Sequence, residues 1–308
     1  MEPVALDALL RSATTRLTDA GCPSPAADAA ALLAHALDCE PGELHRRVLL
    51  GHALAGDDPR QERFEAGVQR REAREPLQHV TGTAWFAGLG LEVGPGVFVP
   101  RPETELLVEL SAERVLALAG GAGPEAQLEV VDLCAGSGAV VLGLAQRLAD
   151  RAEAGQAVPT ATLRAVEQDP RAAEYAERNI DAVGVTVDLR VSDAREEFVD
   201  REGLVDLVVS NPPYVPEGAE PLEPEAREHD PRQALYGGSA DGLALPVELA
   251  RHARVLLRPG GWLFMEHDDS QGESLPRALA EIGFDQLADH RDLAGRPRVV
   301  EAHWPGRR

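Results

Sequence analysis

The sequence Ser-Asn-Pro-Pro-Tyr at 210–214 combines an amide side chain, two prolines and a phenol directly after the mostly apolar run 204–209. The run is predicted to be a strand of a sheet, whereas two successive prolines cannot continue a central strand. The chain must therefore leave the sheet at Asn211 in a stiff, extended shape. An ordinary proline-rich loop exit is the less favoured interpretation.

A rigid exit of this kind suits chemistry on a planar NH2 group. An amide or aryl amine is a poor nucleophile because its nitrogen lone pair is delocalised. The side-chain oxygen of Asn211 and the carbonyl of Pro212 can accept both N–H bonds, which would turn the lone pair toward an electrophile. Pro213 holds Pro212 extended, and Tyr214 offers an aromatic wall to a substrate or a sulfonium cation. These four residues are the candidate catalytic residues.

A second motif is the loop 134–138, which joins the predicted strand 128–133 to a helix that starts near Ala139. Its glycines, Gly136 and Gly138, let a ligand approach the backbone, and the helix N-terminus favours an anion. Val141 stands where a dinucleotide fingerprint needs Gly or Ala, so the pattern is D-x-x-x-G-x-G instead. A bland strand-to-helix turn stays open as an alternative. Cys134 has no identifiable histidine partner and is predicted to be a packed residue.

Two carboxylates close the next predicted strands, 162–167 and 187–193. Glu167 could accept hydrogen bonds from two ribose hydroxyls, or it could be an exposed carboxylate. Asp193 could accept from the amine of adenine, or it could cap the turn that follows. Taken alone, Glu167 is better interpreted as an exposed carboxylate, whereas the two roles of Asp193 compete about evenly.

These side chains need a common scaffold. Predicted strands at 128–133, 162–167, 187–193, 204–211 and 261–267 alternate with helices, which is typical of a parallel sheet covered on both faces. With the order 3-2-1-4-5, Gly136 and Asn211 would follow the two strands where the order reverses, so they should face one crevice. A short link between 284–290 and 298–304 predicts an antiparallel terminal hairpin. A helix over 103–118 is predicted to be broken by glycines at 120–124.

The amino-acid composition excludes several classes of protein. All 30 basic residues are Arg, which excludes lysine-dependent phosphate loops, and a net charge of -22 opposes binding to nucleic-acid backbones. Three separated cysteines support neither a disulfide scaffold nor a zinc cluster, and the acidic start is unlike a secretory signal. We therefore expect a cytoplasmic protein with no metal and no membrane contact. The acidic stretch 215–242 is either a solvated face or a lip that steers a basic substrate loop.

The sequence resembles the HemK/PrmC family of protein-(glutamine-N5) methyltransferases, which modify peptide chain release factors. The resemblance spans nearly the whole chain and rests on segments 74–86, 98–109, 132–138, 210–214, 229–243 and 266–273. It implies an α/β class I S-adenosylmethionine-dependent methyltransferase fold. That fold is Rossmann-like, with a seven-stranded, mostly parallel sheet, a C-terminal antiparallel hairpin and a small helical domain in front. The implied domains are a helical substrate-recognition domain over 1–79, a β-hairpin connector over 80–100 and the cofactor-binding domain over 101–308.

The resemblance also implies a cofactor, a substrate and roles for the candidate residues. S-adenosyl-L-methionine would be the cofactor, and the glutamine of a Gly-Gly-Gln loop in a class-1 release factor would be the substrate. Asn211 to Tyr214 would hold the glutamine amide. Ala194 stands where some relatives have an aromatic residue beside the adenine. The expected cofactor contacts are Cys134, Ala135, Gly136, Ser137, Gly138, Glu167, Asp193, Ala194 and Asn211.

Rival functions remain at this stage. An enzyme of the same chemistry could act on a ribosomal-protein glutamine or on an exocyclic amine of a nucleic acid, although the charge disfavours the latter. A protein of another class would bind the release factor without catalysis, but the intact motif at 210–214 argues against it.

Overall fold

The structure, a computed structural model, describes residues 2–122, 127–221 and 223–306. It comprises two compact units, each built from two stretches of chain. The first unit consists of Met1–Thr83 with Pro221–His229, and the second of Ala84–Glu220 with Asp230–Arg308. In the described part of the chain, no helix is both long and apolar enough to cross a membrane.

The first unit is helical, as the sequence predicts. Prolines occupy the first turns of its second, third and fourth helices, where their missing N–H is not needed. Its core is made of fully buried apolar side chains such as Leu17, Leu33 and Val68. The elements are β1 (Val4–Ala5), α1 (Leu6–Asp19), α2 (Pro25–Ala36), α3 (Pro41–Leu49), β2 (Ala53–Leu54), α4 (Pro59–Glu72) and α5 (Leu77–Thr81), with the later short helix Pro224–His229.

The second stretch of this unit is fixed by a buried ion cluster. Arg71 is only 4% exposed; it donates to Asp28 Oδ2 at 2.8 Å and to Glu225 Oε1 at 2.7 Å. Arg74 donates to both oxygens of Glu225, at 2.8 and 2.6 Å. Burial alone would raise the pKa of Glu225, but the hydrogen bonds from Arg74 and Arg71 outweigh it and lower the pKa to about 2. Every charge in the cluster is therefore paired.

The second unit contains a seven-stranded sheet in the order β10-β11-β9-β8-β5-β6-β7. Its first five strands in the chain are parallel in the order 3-2-1-4-5, and β10 and β11 form the antiparallel end, so the predicted fold class is confirmed. Apolar clusters cover both faces of the sheet. The remaining elements are β3 (Thr83–Phe86), β4 (Leu89–Glu92), α6 (Glu105–Ala122), β5 (Gln127–Leu133), α7 (Ala139–Glu153), β6 (Thr160–Glu167), α8 (Pro170–Val183), β7 (Val187–Val191), β8 (Val205–Ser210), α9 (Pro224–His229, of the first unit), α10 (Ala244–Leu256), β9 (Leu257–Glu266), α11 (Ser274–Ile282), β10 (Asp285–Arg291) and β11 (Pro297–Trp304).

One helix boundary differs from the prediction. Helix α6 continues through Gly120 to Ala122, so the predicted break at 120 is wrong; positions 123 and 124 of that break lie outside the described residues. A glycine in a helix costs only about 1 kcal/mol. The fully buried Val108, Ala112 and Val115 hold this helix in the core, and packing outweighs the local cost.

Candidate active site

A cavity lies at the carboxyl ends of the central strands β5, β6 and β8. Its empty space, including the mouth, is about 1140 Å³. Of the predicted site residues, only Gly138 does not line it. Those that do are Cys134, Ala135, Gly136, Ser137, Glu167, Asp193, Ala194, Asn211, Pro212, Pro213 and Tyr214.

The loop after β5 uses left-handed backbone at three positions, with φ +71° at Cys134, +57° at Gly136 and +81° at Gly138. A Cβ built on Gly136 would meet nothing within 4 Å, so this glycine borders open space. A Cβ on Gly138 would instead lie 3.3 Å from the Leu142 side chain. Gly138 therefore serves the turn and the helix packing, while Gly136 faces the cavity.

Glu167 fixes this loop to the end of β6. Its Oε2 accepts a hydrogen bond from the Gly136 amide at 2.8 Å, and its Oε1 accepts one from the Asp169 amide at 2.8 Å. Burial raises the pKa of the Glu167 carboxyl, and these backbone donors oppose the shift. The carboxylate is thus a fixed part of the cavity wall rather than an exposed strand end, and each oxygen keeps a lone pair for a ligand hydroxyl.

Asp193 caps the turn that follows it, and its contact with adenine stays a prediction. Its Oδ1 accepts from the Arg195 amide at 2.9 Å, as a turn cap does, and the residue also lines the cavity. The hydrogen bond from the Arg195 side chain lowers the pKa of Asp193, which keeps it ionised. Beside it, the apolar Ala194, Leu245 and Leu249 line the cavity.

Cys134 does not have the surroundings of a nucleophile. Removal of the thiol from solvent raises its pKa far above the usual value, and the carboxylates of Glu167 and Asp132 raise it further. The thiol therefore stays protonated at neutral pH, which agrees with its predicted packing role.

The Asn-Pro-Pro-Tyr motif follows β8 and lines the same cavity. Ser210 Oγ donates to the Leu133 carbonyl at 2.5 Å and joins the ends of β8 and β5. Asn211 Nδ2 donates to Thr104 Oγ1 at 3.3 Å, and the Tyr214 hydroxyl donates to Glu266 Oε1 at 3.0 Å. Burial raises the pKa of Tyr214 well above its ordinary value, so its hydroxyl remains a donor.

Two later segments hold the backbone of this motif. Gln271 Nε2 donates to the carbonyls of Tyr214 and Asp241, at 2.9 and 2.7 Å. The Val215 amide donates to the Leu235 carbonyl at 2.7 Å. A Cβ on Gly242 would lie 2.0 Å from the Tyr214 carbonyl oxygen, so only glycine allows this approach. The segments 229–243 and 266–273 therefore support the motif directly.

Sequence reasoning did not assign a role to three polar residues near the cavity. Thr104 lines it, and Asp132 and Glu266 are fully buried behind it. Burial raises the pKa of Asp132 to about 8 and that of Glu266 to about 7. Asp132 Oδ1 and Glu266 Oε2 have no hydrogen-bond partner among the described residues. The only sequence signal for Glu266 is its position at the end of a predicted strand.

The residues present fit S-adenosylmethionine. Gly136 borders open space, Glu167 offers carboxylate oxygens at the end of β6, and the buried Ser137 hydroxyl has no hydrogen-bond partner within the described ranges. The apolar side chains beside Ala194 suit a flat heterocycle. The described residues contain no cluster of three or more metal-ligating side chains.

A parallel sheet with this strand order, a glycine loop after its first strand and Asn-Pro-Pro-Tyr after its fourth define a Rossmann-like methyltransferase. Protein-family models agree: residues 118–223 match the methyltransferase small domain, and residues 8–82 match the PrmC N-terminal domain.

Curated relatives identify the family within this class of methyltransferase. The chain is 46% identical over 292 residues to the release factor glutamine methyltransferase of Streptomyces coelicolor, covering 94% of this chain and 95% of the relative. It is 39% identical to that of Bifidobacterium longum, covering 96% and 98%. The chain belongs to the release factor glutamine methyltransferase family.

Two other similarities concern different substrates. A 4-amino-L-phenylalanine/4-methylamino-L-phenylalanine methyltransferase of Streptomyces pristinaespiralis is 40% identical, covering 89% of this chain and 87% of the relative. A solved 16S rRNA methyltransferase from Thermus thermophilus, in complex with AdoMet and guanosine, is 24% identical with a TM-score of 0.49, covering 73% of this chain and 50% of that one.

Proposed function

We propose that this protein transfers the methyl group of S-adenosyl-L-methionine to the side-chain amide nitrogen of the glutamine in the Gly-Gly-Gln loop of a class-1 release factor. The observation that carries the proposal is the placement of Asn211 in the same cavity as the Gly136 loop. The names of the relatives support the choice of substrate. A cytoplasmic location is consistent with this role.

One wall of the cavity would hold the cofactor. The backbone from Cys134 to Ser137 would contact its methionine part, Glu167 its ribose hydroxyls, and Asp193 with Ala194 its adenine. When bound, S-adenosylmethionine supplies a methyl group on a positively charged sulfur. Glu167 and Asp193 are also negative charges in the same cavity wall, which favours a cationic ligand.

The opposite wall would hold the acceptor. Asn211 Oδ1 and the Pro212 carbonyl would each accept one N–H of the glutamine amide, which fixes the nitrogen and turns its lone pair across the cavity. The prolines keep both acceptors in place before the substrate arrives. Positioning of this kind lowers the barrier without a general base, and the proton can leave to water after the N–C bond forms.

The test is the Asn211→Ala variant, assayed with labelled cofactor and a purified release factor. We expect the single-turnover rate to fall on the order of a hundredfold, because a positioning contact at the reacting atom is lost. Affinity for S-adenosylhomocysteine, measured by calorimetry, should change far less. Asn211→Asp keeps an acceptor oxygen and should retain partial activity. A wild-type rate in folded, cofactor-bound Asn211→Ala would refute the proposed role of the motif.

An aryl amine is a second candidate acceptor, since a relative at 40% identity carries that name. An aryl NH2 has the same delocalised lone pair as an amide and could use the same two acceptors. Parallel assays with the release factor, its Gln→Ala variant and free 4-amino-L-phenylalanine distinguish the candidates. Methylation of the free amino acid, with none of the release factor, would favour the second.

A further inference from the structure

Residues 230–237, called the strap below, contribute to the wall of the cavity but have no part in the proposed methyl transfer. The strap contains one turn of 3-10 helix, Arg232–Ala234. Its residues that line the cavity are Pro231, Gln233, Ala234 and Leu235. The strap therefore lies against the space in which the cofactor and the acceptor would meet.

Both ends of the strap are fixed by contacts of buried residues. At the first end, the buried Asp230 carboxylate accepts from Arg101 at 2.7 Å. At the other end, the Val215 amide donates to the Leu235 carbonyl at 2.7 Å, and the Gly237 amide donates to the Val215 carbonyl at 3.0 Å. Leu235 and Gly237 are buried as well. Because water has little access to these bonds, we expect the ends to stay in place when the middle moves.

The middle of the strap is held by an exposed contact. Gln233 Nε2 donates to Asp169 Oδ2, and both residues line the cavity. Within the described ranges, this is the one hydrogen bond that joins residues 231–234 to a residue outside the strap. Gln233 is exposed, and a hydrogen bond that water can replace adds little net stability. The middle can therefore open while both ends remain fixed.

Asp169 is itself fixed to the part of the cavity wall that fits the cofactor. Its amide donates to Glu167 Oε1 at 2.8 Å. Its Oδ1 accepts from the Arg171 amide at 2.9 Å, because Asp169 is the N-cap of α8. Its Oδ2 is left for Gln233. The bond from Gln233 thus connects the strap to the immediate surroundings of Glu167, the candidate ribose ligand.

We propose that Gln233 and Asp169 form a latch, which must open before a ligand enters or leaves the cofactor part of the cavity and which then closes again. A ligand held in a cavity has most of its surface covered, so part of the wall has to move for its exchange. The strap suits this role because its ends are fixed and its middle is held by an exposed bond. The inference rests on the proposed function in that it takes this cavity as the cofactor site.

A latch affects the kinetics of binding differently from a direct ligand contact. In this proposal Gln233 and Asp169 bond to each other and not to the ligand, so the bond is equally strong in the free and the occupied protein. Its loss should speed association and dissociation by the same factor and leave Kd unchanged, since it favours neither state. Loss of a direct ligand contact would instead speed dissociation alone and raise Kd.

The test measures both rates for S-adenosylhomocysteine on the full-length protein by surface plasmon resonance. Gln233→Met removes the donating amide at nearly constant length, whereas Gln233→Arg places a guanidinium opposite the Asp169 carboxylate. Gln146→Met is the matched control, because Gln146 Nε2 donates to Asp150 Oδ1 at 2.7 Å within α7 and neither of these two residues lines the cavity. Thermal unfolding accompanies each variant.

We expect Gln233→Met to raise both rates about fivefold and to leave Kd within about a factor of two, since a hydrogen bond to a charged group is lost at an exposed position. Gln233→Arg should lower both rates, because a charge-assisted bond would hold the latch closed for longer. Gln146→Met should leave both rates at their wild-type values.

Three outcomes would overturn the inference: wild-type rates in Gln233→Met, faster dissociation in that variant with unchanged association, or faster exchange in Gln233→Arg. The second outcome would make Gln233 a direct ligand contact. Failure of the proposed function would look different. A wild-type protein that does not bind S-adenosylhomocysteine would refute the cofactor site and the latch with it, whereas binding without methylation of a release factor would refute the proposed substrate alone.

Discussion

Two buried glutamates, Glu225 in the helical unit and Glu266 behind the active site, have opposite surroundings. Glu225 receives hydrogen bonds from two guanidinium groups, and its pKa is lowered to about 2. Glu266 receives a phenol hydroxyl, keeps one oxygen without a partner among the described residues, and has its pKa raised to about 7. The same side chain is thus fully paired in one unit and only partly paired in the other.

The comparison shows that a buried carboxylate has different consequences when it is fully paired and when it is partly paired. A paired buried ion fixes one segment to another, and removing either partner leaves an uncompensated charge. A partly paired buried carboxylate costs stability and has a shifted pKa, and such shifts are common at functional sites. The charges of the helical unit fix its second stretch of chain, whereas burial holds the pKa of Glu266 in the sheet unit near neutrality.

The largest expected effect comes from breaking the paired cluster. Glu225→Ala leaves Arg71 and Arg74 without their shared carboxylate and should lower the free energy of unfolding by about 3–5 kcal/mol. The matched control is Glu248→Ala, which breaks the exposed pair with Arg195 (3.0 Å) and should cost no more than about 1 kcal/mol. Urea unfolding measures both. Equal losses in the two variants would mean that the buried cluster contributes nothing special.

The next effect is the pH dependence of the free energy of unfolding, which has opposite signs for Glu266 and Glu225. Because the pKa of Glu266 is raised from 4.5 to about 7, the folded state binds a proton that the unfolded state releases over that range. Stability from this group is present below about 4.5 and is lost as the pH rises through about 7, by up to about 3 kcal/mol. Glu225 has the opposite sign: its contribution is lost as the pH falls from 4.5 through about 2.

The measurement is the difference in unfolding free energy between Glu266→Gln and the wild type, taken on both sides of neutrality. The wild type should lose stability relative to the variant as the pH rises. A difference that does not change with pH would show that Glu266 titrates normally and would remove the contrast with Glu225.

The smallest expected effect is on cofactor binding. Glu167 lines the cavity, and the degree to which its charge is paired is intermediate between Glu225 and Glu266. Its backbone donors pair it, yet burial still raises its pKa. Glu167→Ala should weaken S-adenosylhomocysteine binding by about 1–3 kcal/mol, since hydrogen bonds to a charged group are lost. Calorimetry checks this, with Asp7→Ala, which removes an exposed acid of α1 paired with Arg11, as the unaffected reference. Unchanged affinity would place the ribose elsewhere.

The sequence predicts the sheet well because the signal is local. The central strands β5, β8 and β9 are mostly apolar runs with a turn after them, and the order of the strands follows from the class of parallel sheet. The loop at Gly136 and the motif at Asn211 then line one cavity, as predicted. The cofactor and acceptor contacts of the individual site residues stay predictions.

Pairings across long stretches of chain could not be predicted. The sequence predicts either a solvated face or an acidic lip over 215–242. In the structure, Glu225 is buried against Arg71, 154 positions away, and Asp230 pairs with Arg101 at 2.7 Å. Neither partner is indicated by spacing or composition. The contacts of Asn211 with Thr104 and of Tyr214 with Glu266 also join distant segments, so spacing does not indicate them.

The helical unit is built from two stretches of chain that are far apart in the sequence, which affects its folding during synthesis and its exchange between genes. Arg71 leaves the ribosome about 150 residues before Glu225. At 5–20 residues per second, Asp28 is its one carboxylate partner from this cluster for roughly 8–30 s. A chain that stops after residue 83 contains every helix from α1 to α5. It lacks Glu225, the carboxylate that pairs with Arg71 and Arg74. We therefore expect that residues 1–83 cannot be exchanged alone for those of a relative. The exchange must include the relative's segment that corresponds to residues 221–229.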